Sequence, residues 1–206
     1  MQALGPSTRA LPEKIDACER WYAAAGIPCL FRITPFTDPA LEGHLDERGY
    51  VRDGRSHVMV RALDDGDRAD EPETLELAEW IEIYARLSQL PAVPRALEAL
   101  LRSAGPRRVL ACVRDRHGAP VSVGMGALDG AAFGLFDLVT RAGARGRGHG
   151  RRLIGSLLSW ARAHGATSAY LQVLQSNERA QPVRQRRLPP RLRLLVPGAA
   201  RPLPAT

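Results

Sequence analysis

Nine residues, ARGRGHGRR (144–152), limit what this chain can fold into more than any other stretch. They hold four arginines, three glycines and a histidine. On one side stands AAFGLFDLVT (131–140), an apolar run of strand character; on the other stands GRRLIGSLLSWARAHG (150–165). In that second run Leu153, Ile154, Leu157, Leu158 and Ala161 recur at helical spacing, and Gly165 ends the helix. SAYLQVLQ (168–175) follows as a further strand. The glycines thus sit between a strand and a helix N-terminus. There they let successive backbone N–H groups converge, and the helix end adds partial positive charge. Such a turn suits a pyrophosphate. Two other readings stay open, a solvated basic loop and a nucleic-acid patch. A single-stranded nucleic-acid binder would interleave aromatic side chains for base stacking, and none lies between Arg141 and Arg152.

The net charge of +7 favours polyanions only until its location is traced. Residues 182–206 carry six arginines and no acid; without them 23 basic residues face 22 acidic ones. Nucleic acid is therefore not the expected partner. The 206 residues, 45% of them apolar, suffice for one domain and part of another. No run approaches the roughly 20 apolar residues of a membrane span, and the start lacks a basic segment followed by an apolar one. A cytoplasmic chain with no membrane partner is expected. Cys18, Cys29 and Cys112 show neither pairing logic nor metal-ligand spacing. They read as buried thiols, and no metal is expected.

Before the glycine stretch, PEKIDACERWYAAA (12–25) reads as a helix stopped by Gly26 and Pro28, and CLFRITP as a strand. Asp38 caps a second helix ending at Gly49, and HVMVRAL (57–63) is a strand. The acidic segment DDGDRADEP (64–72) marks a boundary. Beyond it come helices over 73–88 and 94–104. Three strands follow, 107–115, 120–128 and 131–140, joined by tight turns at His117-Gly118 and Asp129-Gly130.

The pattern Arg/Gln-x-x-Gly-x-Gly/Ala at a strand-to-helix junction, met here by Arg145, Gly148 and Gly150, resembles the acyl-CoA signature of the GNAT superfamily of N-acetyltransferases. GLFDLVT before it, LLSWARAHGA within the helix and AYLQVLQSN after it extend the resemblance over about residues 73–181. It implies an α/β fold, a mixed, mostly antiparallel sheet flanked by helices. It implies acetyl-CoA as co-substrate and an amine on a small molecule, peptide or protein as acceptor. Leu138 and Val139 would pair with pantetheine through their backbones. Arg145, Gly146, Arg147, Gly148, His149, Gly150 and Arg151 would hold the pyrophosphate, and Asn177 would contact the cofactor. Asp137, on the strand beside the implied thioester, is the candidate base; alternation predicts that it shares a face with Leu135 and Val139. A CoA-binding remnant without turnover and an Arg-rich nucleic-acid binder are the competing readings.

A shift of 139 residues aligns Trp21 with Trp160, Gly26 with Gly165, Phe31 with Tyr170 and Asp38 with Asn177. Residues 1–64 are thus expected to be a degenerate half-lobe resembling the second half of a GNAT domain, truncated at Met1, and 65–181 the acetyltransferase domain. Residues 182–206 hold six prolines, no acid and no aromatic, so they are expected to lack regular structure. They also lack the tyrosine that the resemblance implies as general acid. Back-translated with GC-rich codons and read one base later from Val183, the tail gives Y-A-N-A-G-F-R-H-A-Y-G-Y-W-Y-R, an ending of the family's kind. The tail is therefore expected to be an out-of-frame reading. DNA sequencing through codons 178–200 should reveal a single-base shift that restores this ending; a sequence in which none does so overturns the expectation.

Overall fold

The computed structural model describes residues 9–67, 69–91, 95–103, 107–174 and 192–197. In chain order the elements are α1 (Leu11–Ala24), β1 (Phe31–Ile33), α2 (Pro39–Glu47), β2 (Tyr50–Ala62), β3 (Glu73–Thr74), α3 (Leu77–Ser88) and α4 (Arg95–Ser103). Then follow β4 (Arg108–Arg114), β5 (Pro120–Asp129), β6 (Ala132–Thr140), α5 (His149–Ala163), β7 (Ser168–Leu174) and β8 (Leu192–Pro197). Contacts divide the chain into two compact units, which part within β2 between Val58 and Met59. The acidic segment expected as the boundary begins after β2 has ended. Among the described residues no helix is long and apolar enough to cross a membrane.

In the first unit Asp38 accepts the Ala40 amide at 2.9 Å and so opens α2. α1 buries Ile15 and Cys18 and α2 buries Leu41 and Leu45, in one cluster with Cys29, Phe31, Ile33 and Tyr50. Arg48, at the end of α2, bridges to Asp16 at 2.5 Å and Glu19 at 3.1 Å on α1. β2 begins at Tyr50, well before the expected strand. Its first half, YVRDGRS, is polar and holds Gly54 at φ 61°, and a register shift lies between Asp53 and Ser56. A bulge of this kind hides the period-two signal.

The tail expectation is corrected here. Residues Leu192–Pro197 form β8, antiparallel to β1 (Phe31↔Leu195) and to β2 (Tyr50↔Pro197). Prolines flank the run LRLLV rather than interrupt it, so its amides remain free for a ladder. A count of prolines over the whole tail missed that spacing.

In the second unit β4, β5 and β6 form an antiparallel meander, turning at Gly118 (φ 80°) and Gly130 (φ 56°). Positive φ at those two sites is what glycine supplies. β7 runs parallel to β6, so the chain crosses over through α5. Glu73 and Thr74, expected as the first helical turn, pair instead with Cys112 and Ala111 on the edge of β4. Trp80, Ile83 and Leu87 of α3 cover one face of the meander at Leu110, Cys112, Val123 and Met125. On the other face Phe133 meets Trp160 of α5 at 5.8 Å. The mixed sheet with flanking helices is the expected architecture. The three cysteines are buried and free; burial pushes the Cys112 thiol up to about 11.

A side chain at Gly126 would place its Cβ 1.9 Å from Phe133 Cζ, whereas one at Gly155 would meet only Ala69 Cβ at 3.6 Å. In urea titrations Gly126→Ala should cost about 1–3 kcal/mol through overpacking. Gly155→Ala should be neutral or stabilising by up to about 1 kcal/mol through helix propensity.

Candidate functional site

The glycine stretch continues directly from β6. After Thr140 the chain makes a short 3-10 turn at Ala142–Ala144, which no sequence signal announced, and Ala144 is buried beneath it. Arg145 Nε donates to the Thr140 carbonyl at 3.1 Å, so this side chain ties the loop back onto the strand. Gly146 and Gly148 stand at φ 75° and 84°. A Cβ at either would meet nothing within 4 Å; glycine is needed there for backbone conformation rather than for room. Gly150 differs, since its Cβ would lie 3.3 Å from Thr140 Oγ1.

Gly148 is the N-cap of α5, and no side chain caps this end. The amide of Arg152 donates to the Gly148 carbonyl at 2.9 Å. The amides of His149, Gly150 and Arg151 precede that bond and are the donors a helix start leaves over. No acid stands in the first turn; Arg151 and Arg152 stand there instead, against the macrodipole. Spare amides, positive charge and an open helix start are the groups by which proteins hold anions in general.

The other half of the site lies at the middle of β6. β6 pairs with β7 from Ala132↔Ser168 to Leu135↔Leu171 and no further, while it stays paired with β5 as far as Thr140. From Phe136 onward β6 therefore has an edge that β7 does not cover. The ladder slips at that point: Met125 pairs with Phe136 and Val123 with Val139, so Gly124 faces both Asp137 and Leu138. This is a β-bulge. Asp137 takes φ 50° there, one of two described non-glycine residues with positive φ.

The bulge corrects the expected facing of Asp137. Leu135 lies opposite Gly126, on the face where a Gly126 Cβ would meet Phe133, which is the α5 face. Leu138 is on that face too, since a Gly124 Cβ would come within 2.5 Å of its Cδ2 and 3.2 Å of Leu153. Val139 packs with the α3 cluster, and Asp137 reaches α3 as well: the Tyr84 hydroxyl donates to its Oδ1 at 3.3 Å. Asp137 thus shares a face with Val139 but not with Leu135. The extra residue breaks the alternation that sequence reasoning assumed.

Burial pushes the Asp137 carboxyl above the usual range, and the Tyr84 hydrogen bond offsets part of that rise. Burial, then the charge of Asp137 and the bond to it, raise the Tyr84 phenol. Tyr84 stacks on Trp80 with centroids 4.9 Å apart and planes 8° from parallel. Trp80 Nε1 donates to the Gly124 carbonyl at 3.2 Å, on the strand opposite the bulge. Sequence reasoning saw a helix here and missed both aromatics as site residues. The signal was their i, i+4 spacing on its buried face. His149 is half-buried at the start of α5. Asn177 lies outside the described residues.

Comparison with known proteins gives a family by sequence and relatives by fold. The family described as "Probable histone acetyltransferase Rv0428c C-terminal" matches residues 3–188. A GCN5-related N-acetyltransferase from Sphaerobacter thermophilus superposes with a TM-score of 0.67 at 18% identity, over 90% of this chain and 66% of that one. One from Kribbella flavida superposes with a TM-score of 0.67 at 16% identity, over 92% and 76%. The chain thus spans just under two thirds of the Sphaerobacter structure. No curated protein matches in sequence.

The raised carboxyl has a thermodynamic consequence. Folded Asp137 keeps its proton to higher pH than the unfolded chain does. Stability therefore falls as pH rises from the ordinary value of 3.8 through the raised one, and the loss is constant above it. Asp137→Asn removes the titration and still tolerates the left-handed backbone. Its melting temperature should exceed that of the unsubstituted protein at neutral pH, with the gain disappearing below pH 3.8. Thermal melts across a pH series check this, and coincident curves at neutral pH contradict it.

Proposed function

The chain belongs to the "Probable histone acetyltransferase Rv0428c C-terminal" family, acyltransferases of the GNAT superfamily, and on that premise we propose that it transfers an acetyl group from acetyl-CoA to a primary amine. The observation that carries this reading is that both halves of the site lie on one continuous segment. β6 presents an edge that β7 leaves uncovered and a half-buried carboxylate, then runs into a left-handed glycine turn at an uncapped helix start.

The residues fit coenzyme A. The amides over 146–151 would hold the diphosphate, with Arg147 and Arg151 adding charge; Arg145 would act by closing the loop. Charge-assisted hydrogen bonds of this kind contribute about 1.5–3 kcal/mol each. The open edge of β6 at Leu138 and Val139 would take pantetheine as an added strand. When bound, acetyl-CoA supplies the reactive thioester. Asp137 would accept the proton that an ammonium must lose before its nitrogen can attack. A carboxylate raised toward neutral pH is better matched to that task than an exposed one. Among the described residues no arginine or lysine bridges to Asp137. The family's description names a histone acetyltransferase, which supports a protein amine as acceptor, and small-molecule amines form the other arm of the test. Against turnover stands the sequence after Asn177, which offers no tyrosine as general acid.

Calorimetry with acetyl-CoA should show binding, and thiol release should follow with a lysine-bearing peptide or a small amine. Asp137→Asn should retain acetyl-CoA affinity and lose about 10²–10⁴ in kcat. Binding without thiol release from any amine would favour the remnant reading, and absence of binding would defeat both.

A further inference from the structure

The bulge leaves an acid in a backbone conformation that costs free energy, in a place where burial opposes its charge. Something must hold the side chain there. We infer that Tyr84 is the positioning residue for Asp137, a bracket on α3 that fixes which carboxylate oxygen is free and how readily it takes a proton. The inference rests on the reading of Asp137 as the base, but the coupling it describes is measurable without substrate.

Three contacts carry it, and none is predicted by the fold alone. The Tyr84 hydroxyl donates to Oδ1 of Asp137, leaving Oδ2 for an incoming proton. The Tyr84 ring is held parallel against Trp80 one turn earlier on α3, which restricts the ring. Trp80 in turn donates to the Gly124 carbonyl, directly opposite the two bulged residues. Successive turns of one helix therefore grip both strands of the bulge. Left-handed backbone at a non-glycine residue is disfavoured and is kept where its surroundings over-determine it.

The alternative role for Tyr84, general acid to the departing thiolate, fits poorly. A free thiol titrates near ~8.5 and a tyrosine near ~10, and burial raises this phenol further. Proton transfer from it to a thiolate would run uphill. A hydroxyl that stays protonated is instead a steady donor to a carboxylate. Tyr84 is also the one titratable group among the described residues whose hydrogen bond bears on Asp137. Its removal leaves burial unopposed.

The test is a carboxyl-carbon NMR titration of Asp137 in the full chain, unsubstituted and as Tyr84→Phe. Phenylalanine keeps the ring and the stack on Trp80 and removes only the hydroxyl. The Asp137 carboxyl is expected to titrate at higher pH in Tyr84→Phe, with acetyl-CoA affinity by calorimetry unchanged. A second readout needs no substitution: the Tyr84 Cζ resonance of the unsubstituted protein should move with pH along the Asp137 titration, and this movement should vanish in Asp137→Asn. An Asp137 titration that is the same in both proteins, or a Tyr84 resonance that ignores it, overturns the inference. A shifted titration with no thiol release from the amine panel supports the bracket while removing Asp137 as base, so the two readings fail separately.

Discussion

The structure of the second unit turns on one extra residue in β6. Two residues, Asp137 and Leu138, face the single Gly124 across the ladder. That mismatch does several things together. It places an acid on the α3 face directly after Phe136, which lies opposite Met125 on that same face. It coincides with the point where β6 parts from β7, and it leaves the far end of β6 free to feed the glycine turn. Gly124 makes the slip possible, because any side chain there would collide with Leu138.

The same segment concentrates unfavourable terms. Asp137 occupies left-handed backbone and is half-buried without a bridging cation among the described residues. Arg151 and Arg152 stand at the positive end of a helix that no side chain caps. A ligand-free chain gains nothing from these choices. In the proposed reaction each becomes favourable: the arginines and spare amides meet a diphosphate, and the carboxylate meets an ammonium. Strain and charge collected on one strand and its loop are the terms that the proposed ligands would offset.

Much of this was legible beforehand, for identifiable reasons. The meander was visible because glycine turns at Gly118 and Gly130 separate apolar runs of strand length. The turn at the start of α5 was visible because Gly146, Gly148 and Gly150 stand between a strand and an amphipathic helix. Less legible was β2, whose polar first half carries a bulge. The tail was misread as well, since proline content was judged over the whole segment while LRLLV lies between prolines.

Local chemistry, which needs no long-range contact, was determined by the sequence itself. Turn glycines, the Asp38 cap, the apolar stripe of α5 and the pattern of Arg145, Gly148 and Gly150 all act within a few residues of themselves. Tertiary structure alone decided the facing of Asp137 and its partner. A bulge is a property of two strands in register, and no period within β6 encodes it. The meeting of Asp137 with Tyr84, 53 residues earlier in the chain, depends on α3 packing over the meander, which only the folded core can bring about.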